Sequence, residues 1–395
     1  MFNIGIVGAG IGGLSAGLML KTYGHQVTIF EKKPASFSSG VGIQVSSNAI
    51  RILREFELED DIIKCSNFPL MVDCINGHSA KKITSIPLGD YAKKKFKAGF
   101  YQLHRNDLIS ILKNKADDIG VKIHYNSAII DLLQNSSKAT LRFEKDQFDC
   151  DFVIGADGIN SLVRKKIFFD KPPNFLKQVA YRTLIPSKKL PEFFSEDKTL
   201  LFLGSGKHVV SYPIKDKSLV NFVFCMDSHS FYDQDWTRKA PPLELIKNFS
   251  DFPVLKDVFQ EITSLKKWGL FDYPLLKEWY KNRILLLGDA CHPILPYLAQ
   301  GASQAIEDSY VLYQCMKNNC DEDYSTDFLK EYSDKRYLRV NKIKKASKQN
   351  EGVRIDHFLL NPLAADRLKS FGLDKYMRSK DRPSDPIPVW IIIDK

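Results

Sequence analysis

The chain has 395 residues, of which 44% are hydrophobic and 26% charged, the balance of an ordinary globular protein large enough for two or three domains or one large discontinuous unit. No apolar run approaches the roughly 20 residues needed to span a bilayer, and the first strand pattern begins at residue 3, so neither a membrane span nor a cleavable signal peptide is expected. The net charge of +10 comes from basic residues spread along the chain without a nucleic-acid recognition motif, which argues against a nucleic-acid partner. Seven scattered cysteines without CxxC pairs fit a reduced, cytoplasmic setting and no metal site.

Asn3 to Val7 reads as a short buried strand, Ile11 to Tyr23 as a helix with Leu14, Leu18 and Leu20 near helical spacing, and Val27 to Phe30 as a second strand. Gly40 to Val45 reads as a flexible loop, Ser47 to Phe56 as a helix, and Met71 to Pro87 as a pair of strands. After the basic Lys93-Lys94-Lys95, a helix is predicted from Asn106 to Ile119, capped by Asn or Asp side chains. Val121 to Tyr125 and Asp149 to Ile154 return to strand character. From Pro172 to about Tyr280 the texture changes, with strands at Gln178 to Ile185, Leu200 to Leu203, His208 to Ile214 and Leu219 to Met226 joined by short polar connections. Ile284 to Leu287 is a further strand. Helices follow at Ala302 to Lys317 and about Asp327 to Gln349, and Val389 to Ile393 reads as an edge strand or packing tail.

Three turns, each after an apolar strand, carry the chemistry. Gly8-Ala9-Gly10-Ile11-Gly12-Gly13 sits between strand and helix as a dinucleotide fingerprint requires. Gly8 permits a tight turn, Gly10 lets the backbone approach a pyrophosphate, and Gly13 lets helix and sheet pack closely. Glu31, about twenty residues on, is placed to bind an adenosine ribose. Gly155-Ala156-Asp157-Gly158 and Gly288-Asp289-Ala290-Cys291-His292-Pro293 repeat the pattern, and the order of the three points to FAD. Gly301 and Ala302 open a helix whose free N–H groups can face the flavin pyrimidine edge.

With these motifs the chain resembles the group A flavin monooxygenases, single-component aromatic hydroxylases, in the branch that includes salicylate hydroxylase, 3-hydroxybenzoate 6-hydroxylase and 6-hydroxynicotinate 3-monooxygenase. The resemblance covers nearly everything to about residue 345. It implies an α/β fold: a Rossmann-like FAD domain of glutathione-reductase type, an inserted and mostly antiparallel sheet domain for substrate, and C-terminal helices. The expected boundaries are 1–70, 98–172 and 280–350 for FAD, 71–97 and 173–279 for substrate, and 351–395 for the tail. Carried over, Arg105 contacts FAD, Asp157 and Gly158 handle FAD and nicotinamide, Asp289 binds a ribityl hydroxyl, and Pro296 lines the flavin and substrate side. The resemblance also implies that NADH or NADPH visits transiently, and no second glycine fingerprint is present for it. In the enzymes it resembles, reduced flavin and O2 give a C4a-hydroperoxide that hydroxylates an electron-rich ring, and the same is expected here.

The resemblance implies a small hydroxylated aromatic or heteroaromatic carboxylate, with or without decarboxylation. A larger apolar substrate (quinone precursor, polyketide or antibiotic) and a non-catalytic flavin-binding redox-responsive protein are the alternatives. Period-two alternation puts His208, Val210 and Tyr212 on one strand face. His208 is the candidate base for the ring hydroxyl, with an ordinary structural histidine as the other reading. Gln300 matches a family glutamine that positions that hydroxyl. Arg182 either pairs with a substrate carboxylate or makes a salt bridge within the sheet. His292 is read as holding its loop, and Cys291 as a small buried residue. The positive charge is either a solvated lysine-rich surface or a potential that draws in anionic cofactors and substrate. The oligomer is expected to be a monomer or homodimer.

Overall fold

The computed structural model describes residues 1–36, 40–168, 172–229, 238–318 and 327–348, together with the backbone of the strands Leu368–Leu373 and Val389–Ile393. Val389–Ile393 pairs antiparallel with Leu368–Leu373, so that segment is a strand.

Two sheets organise the molecule. The first has six strands in the order Tyr280–Lys281, Ile284–Leu286, Phe152–Gly155, Asn3–Val7, Gln26–Phe30 and Lys122–His124. All its pairings are parallel except that of the first two strands. The helix Ile11–Thr22 crosses from one central strand to the next and packs Leu14, Leu18, Met19 and Leu20 into the core. It is buried nearly all round, as a helix pressed between a sheet and a second helix must be. That second helix is Gly301–Asn318.

The second sheet has seven strands, ordered Lys266–Asp272, Asn174–Pro186, Leu219–Asp227, Lys207–Ile214, Lys198–Gly204, Met71–Asn76 and Lys82–Pro87. It is antiparallel except where Met71–Asn76 runs parallel to Lys198–Gly204. Its two faces differ. Tyr181, Phe224, Val209 and Phe202 lie in one row across four strands and join a phenylalanine-rich core with Leu245, Phe249 and Val258. Those last three come from the helices Pro242–Phe249 and Lys256–Gln260, which the strand-dominated reading of the region did not anticipate. With that face covered, the alternate residues must point the other way.

Several local expectations change. Gly42–Val45 is a strand, not a loop, because Tyr101–His104 supplies an antiparallel partner for its backbone. The helix Arg105–Asp118 is capped by His104, whose Nδ1 accepts the Asn106 N–H at 3.3 Å, and not by Asn or Asp. The strand predicted from Asp149 to Ile154 is two strands, Gln147–Cys150 and Phe152–Gly155, in different sheets. All the cysteines among the described residues are free thiols.

His25 is buried beside the first strand, where its Nδ1 accepts the Phe2 N–H at 3.1 Å. Burial, and then the positive N-terminus, lower its pKa from 6.5 to about 4. As pH falls through that interval the unfolded chain binds a proton that the folded chain refuses, so stability is present above pH 6.5 and declines toward pH 4. Replacing His25 with Asn retains an acceptor and removes the titration. Urea midpoints at pH 7 and pH 5 should therefore drop less in the variant; equal drops would exclude His25 as a source of acid sensitivity.

Candidate active site

The parallel register places the three turns side by side. Val7 lies opposite Gly155, and Gly155 opposite Leu286, so Gly8, Ala156-Asp157 and Gly288-Asp289 emerge at one edge of the first sheet. This carboxyl edge is where open parallel sheets bind ligands. A cavity of about 1260 Å³ opens there, larger than the roughly 300–1,000 Å³ of most small-molecule sites. It is lined by Gly8, Gly10, Glu31, Arg105, Asp157, Gly158, Asp289, Pro296, Gly301, Ala302, His208 and Tyr212.

Gly8 has φ +106°, and a Cβ there would approach the Ala156 carbonyl oxygen to 2.5 Å. A Cβ on Gly13 would fall 1.9 Å from the Gly8 carbonyl oxygen, so Gly13 serves helix–strand packing and does not line the cavity. Gly10, Gly158 and Gly301 are different: a Cβ on any of them would meet nothing within 4 Å. Their open sides form a cradle in which main chain can approach a ligand. The Glu31 carboxylate accepts the Ala9 N–H at 2.8 Å and the Lys33 N–H at 2.9 Å, bracing the turn at the cavity rim.

Asp157 uses Oδ2 to accept the Leu162 N–H at 2.6 Å, while its Oδ1 is buried without a hydrogen-bond partner. Burial raises its pKa. Asp289 exposes its carboxylate to the cavity, and enclosure there raises its pKa against the opposing pull of His292 and Arg105. Burial lowers the pKa of Arg105, while Asp289 and Glu31 favour its charged form. The helix Gly301–Asn318 begins at the same cavity, after Ala299 turns the chain with φ +51°. Free N–H groups at that end present partial positive charge. Open glycine faces, orphaned acceptors and two helix starts fit a large anionic dinucleotide.

The seven-stranded sheet forms the facing wall. His208, Val210 and Tyr212 turn to the cavity, and Tyr297 brings its ring centroid 5.7 Å from that of His208. The Tyr297 hydroxyl donates to Gln178 Oε1. Burial pushes the Tyr212 phenol up to about 12, against a smaller opposing effect of Arg182, so Tyr212 stays protonated and can donate a hydrogen bond. Arg182 also lines the cavity, over the Trp268 ring at 5.5 Å; it makes no salt bridge among the described residues, so the expected ion pair within the sheet is absent.

Gln300 does not reach the cavity as expected. Its Nε2 donates to Ser46 Oγ at 2.9 Å, and its Oε1 accepts from Asn48 Nδ2 at 3.2 Å and Gln304 Nε2 at 3.0 Å, which commits the amide elsewhere. His292 is a loop holder: its Nε2 meets Asp308 Oδ2 at 2.6 Å, and that same oxygen accepts the Gly288 N–H at 2.9 Å. Arg336, from the helix Asp327–Lys348, donates to Asp308 Oδ1 at 2.6 Å and to Glu307 Oε2 at 2.8 Å. Burial alone would raise the Asp308 pKa, but His292 and Arg336 hold it below the usual value. Gln44 was not anticipated. It lines the cavity with its Nε2 buried and without a hydrogen-bond partner, and the strand alternation of Gly42–Val45 was the signal that could have found it.

Comparison with known proteins agrees with this geometry. The family model described as an FAD binding domain matches residues 1–347. A 3-amino-4-hydroxybenzoate 2-monooxygenase of Streptomyces cremeus is 30% identical over 316 residues, covering 80% of this chain and 78% of that protein. A 6-hydroxynicotinate 3-monooxygenase of Pseudomonas fluorescens is 27% identical, covering 89% of this chain and 92% of that protein. Among solved structures, CtdE in complex with FAD and a substrate superposes with a TM-score of 0.81 at 22% identity, covering 88% of each chain. The chain therefore belongs to the FAD-binding-domain family, and within it to the FAD-dependent aromatic-ring monooxygenases. FAD is accordingly its cofactor, and the fold is the Rossmann-like FAD unit joined to a substrate sheet. No helix among the described residues is long and apolar enough to cross a membrane.

Two substitutions test the construction. Gly10→Val puts a side chain into the cradle without meeting protein, so FAD affinity should fall on the order of tenfold or more while the apo-protein melting temperature holds. Undiminished flavin content would place the dinucleotide elsewhere. Arg336→Met removes the guanidinium shared by two buried carboxylates, leaving Asp308 with His292 and Glu307 with Arg339, and should cost about 3 kcal/mol in urea unfolding. A cost under about 1 kcal/mol would mean that the network is only surface-like.

Proposed function

We propose that this monooxygenase uses NAD(P)H and O2 to hydroxylate a small hydroxylated aromatic or heteroaromatic carboxylate. The observation that carries this reading is the pairing of walls: a polar, donor-bearing face from His208 and Tyr212 opposite the glycine- and carboxylate-built cradle, within one cavity. The names of the relatives, which refer to an amino-hydroxybenzoate and a hydroxynicotinate, support the substrate class.

In this reading Gly8, Gly10 and the start of the first helix hold the pyrophosphate, while Glu31 and Arg105 hold the adenosine side. Asp157 and Gly158 take a further cofactor contact. Asp289 accepts from the ribityl chain, and the Gly301 and Ala302 N–H groups face the pyrimidine edge, with Pro296 closing that side. Bound flavin, reduced by NAD(P)H, would supply the activation of O2, from which the oxygen atom added to the ring derives. The protein's part is proton control and orientation. An imidazole nitrogen of His208 takes the proton of the ring hydroxyl, which makes the ring more electron-rich, and the neutral Tyr212 hydroxyl donates to the resulting oxygen anion. Val210, Val223 and Leu270 line the cavity as apolar surface and limit competing water. The same reading assigns 1–70, 98–172 and 280–350 to cofactor and 71–97 and 173–279 to substrate.

The purified protein should be yellow and should oxidise NADH or NADPH faster when one member of a hydroxybenzoate and hydroxynicotinate panel is added, with hydroxylated product formed. His208→Ala should retain flavin but lose about 10²–10⁴-fold in hydroxylation. No stimulation by any aromatic acid would overturn the substrate class, and an unchanged rate and pH profile in the variant would remove His208 from proton transfer.

A further inference from the structure

The helix Asp327–Lys348 has one buried face, which includes Tyr332, Ser333, Arg336, Val340, Lys344 and Ser347. At 1.5 Å per residue it runs about 33 Å, long enough to reach from one sheet to the other. Its polar contacts divide in two. The first half holds the six-stranded sheet and the third turn: the Tyr332 hydroxyl donates to the Leu286 carbonyl at 3.0 Å, Ser333 Oγ accepts the Trp279 N–H at 3.1 Å, and Arg336 meets Asp308 and Glu307. The second half holds the opposite wall. Lys344 Nζ lies 3.0 Å from Asp272 Oδ1 and donates to the Tyr273 carbonyl, and Ser347 Oγ donates to the Leu295 carbonyl at 3.3 Å.

These three partners stand at the seam between the walls. Asp272 ends the edge strand Lys266–Asp272, from which Trp268, Leu270 and Phe271 line the cavity. The chain then leaves that sheet and next forms Tyr280–Lys281 of the six-stranded one. Leu295 packs with Val223 and Leu270, and two residues on, Tyr297 stands beside His208. Arg164 adds a second cation at the crossing, with its guanidinium over the Tyr273 ring at 4.7 Å and a bond to the Pro274 carbonyl at 3.2 Å. Lys344 and Asp272 are both buried. A buried ion pair returns little net stability, because desolvation offsets the attraction, yet separating its charges inside the protein is costly. Such a pair holds a distance more than it stabilises a fold.

From this geometry we infer that Lys344 is a positioning residue that sets the gap between the substrate wall and the cofactor cradle. It does not line the cavity, and it acts through Asp272 and Tyr273. The inference deepens the proposed function and rests on it for the reaction. With the ring held at the right distance, NAD(P)H, a proton, O2 and the aromatic substrate give NAD(P)+, water and the hydroxylated product. With the ring held off, the same two electrons leave with both oxygen atoms: NAD(P)H, a proton and O2 give NAD(P)+ and H2O2, and the substrate is returned unchanged. A displacement of about 1 Å is enough to favour the second outcome, because atom transfer requires near contact.

The test compares three FAD-loaded proteins: wild type, Lys344→Arg, and the double variant Lys344→Met with Asp272→Asn, which removes both charges of the pair together. One readout is the share of NAD(P)H consumption recovered as hydroxylated product rather than H2O2, with the most stimulating acid of the hydroxybenzoate and hydroxynicotinate panel. The other is hydrogen–deuterium exchange of residues 266–274, followed by mass spectrometry. The double variant should keep its flavin content and hold NAD(P)H oxidation within about 3-fold, while the product share drops about 5-fold or more and the balance appears as H2O2. Exchange in 266–274 should rise about tenfold, with that of residues 3–16 unchanged. Lys344→Arg, which keeps the charge, should restore most of the product share. An unchanged product share, unchanged exchange, exchange raised equally in both segments, or no recovery with Lys344→Arg would each overturn the assignment. If wild type forms no hydroxylated product from any aromatic acid, the hydroxylation reading is rejected, and exchange alone decides whether Lys344 holds the seam.

Discussion

Everything at the site follows from three parallel strands that end level with one another. Val7, Gly155 and Leu286 are register partners, so three turns separated by nearly the whole chain arrive at one sheet edge. Each turn then leaves main-chain N–H groups, a glycine face or a carboxylate oxygen without a protein partner. A shift of register by one residue would turn the strand side chains to the opposite face and separate the turns. The hydrophobic pattern that buries Ile4, Ile6, Val153 and Leu285 therefore also fixes how the three turns meet at the cavity.

The facing wall obeys a different rule. In the seven-stranded sheet the phenylalanine core occupies one side, and strict alternation delivers His208, Tyr212 and Arg182 to the other. Chemistry on this wall is a by-product of packing on its back. The two walls meet through the segment before Gly301 and through the strand Gly42–Val45, whose Gly42 N–H donates to Asn221 Oδ1 at 3.0 Å. Asn221 belongs to the second sheet, so this bond ties that sheet to the strand Gly42–Val45 at the rim of the cavity. A Cβ on Gly42 would lie 2.7 Å from Asn221 Cγ, which leaves little freedom for the two to drift apart.

Much of this was legible in the sequence because glycine spacing after an apolar strand has a local cause. Gly8 needs its positive φ whatever the rest of the fold does, and the βαβ unit around it appears with the expected boundaries. What failed to read depended on distant partners. The glycines of Gly40 to Val45 suggested a loop because nothing local shows that Tyr101–His104 will pair with the segment. The direction of Gln300 is set by Ser46 and Asn48, some 250 residues away in sequence. The state of Arg182 is harder still, since among the described residues packing supplies it with no counter-charge. Periodicity could place that residue on a face and could not say what would oppose it.

The Asp308–Arg336 pair has a consequence for the order of events in making this protein. The turn at Gly8 is made well before Asp289 and Gly301, and Arg336, which neutralises the carboxylates behind the Gly288 turn, comes later still. Synthesis runs from the N-terminus, so the carboxylates behind the Gly288 turn wait for this counter-charge until the helix Asp327–Lys348 has been made. A cofactor bound only by the completed fold then adds to the stability of that fold, by an amount that grows with its concentration relative to its affinity.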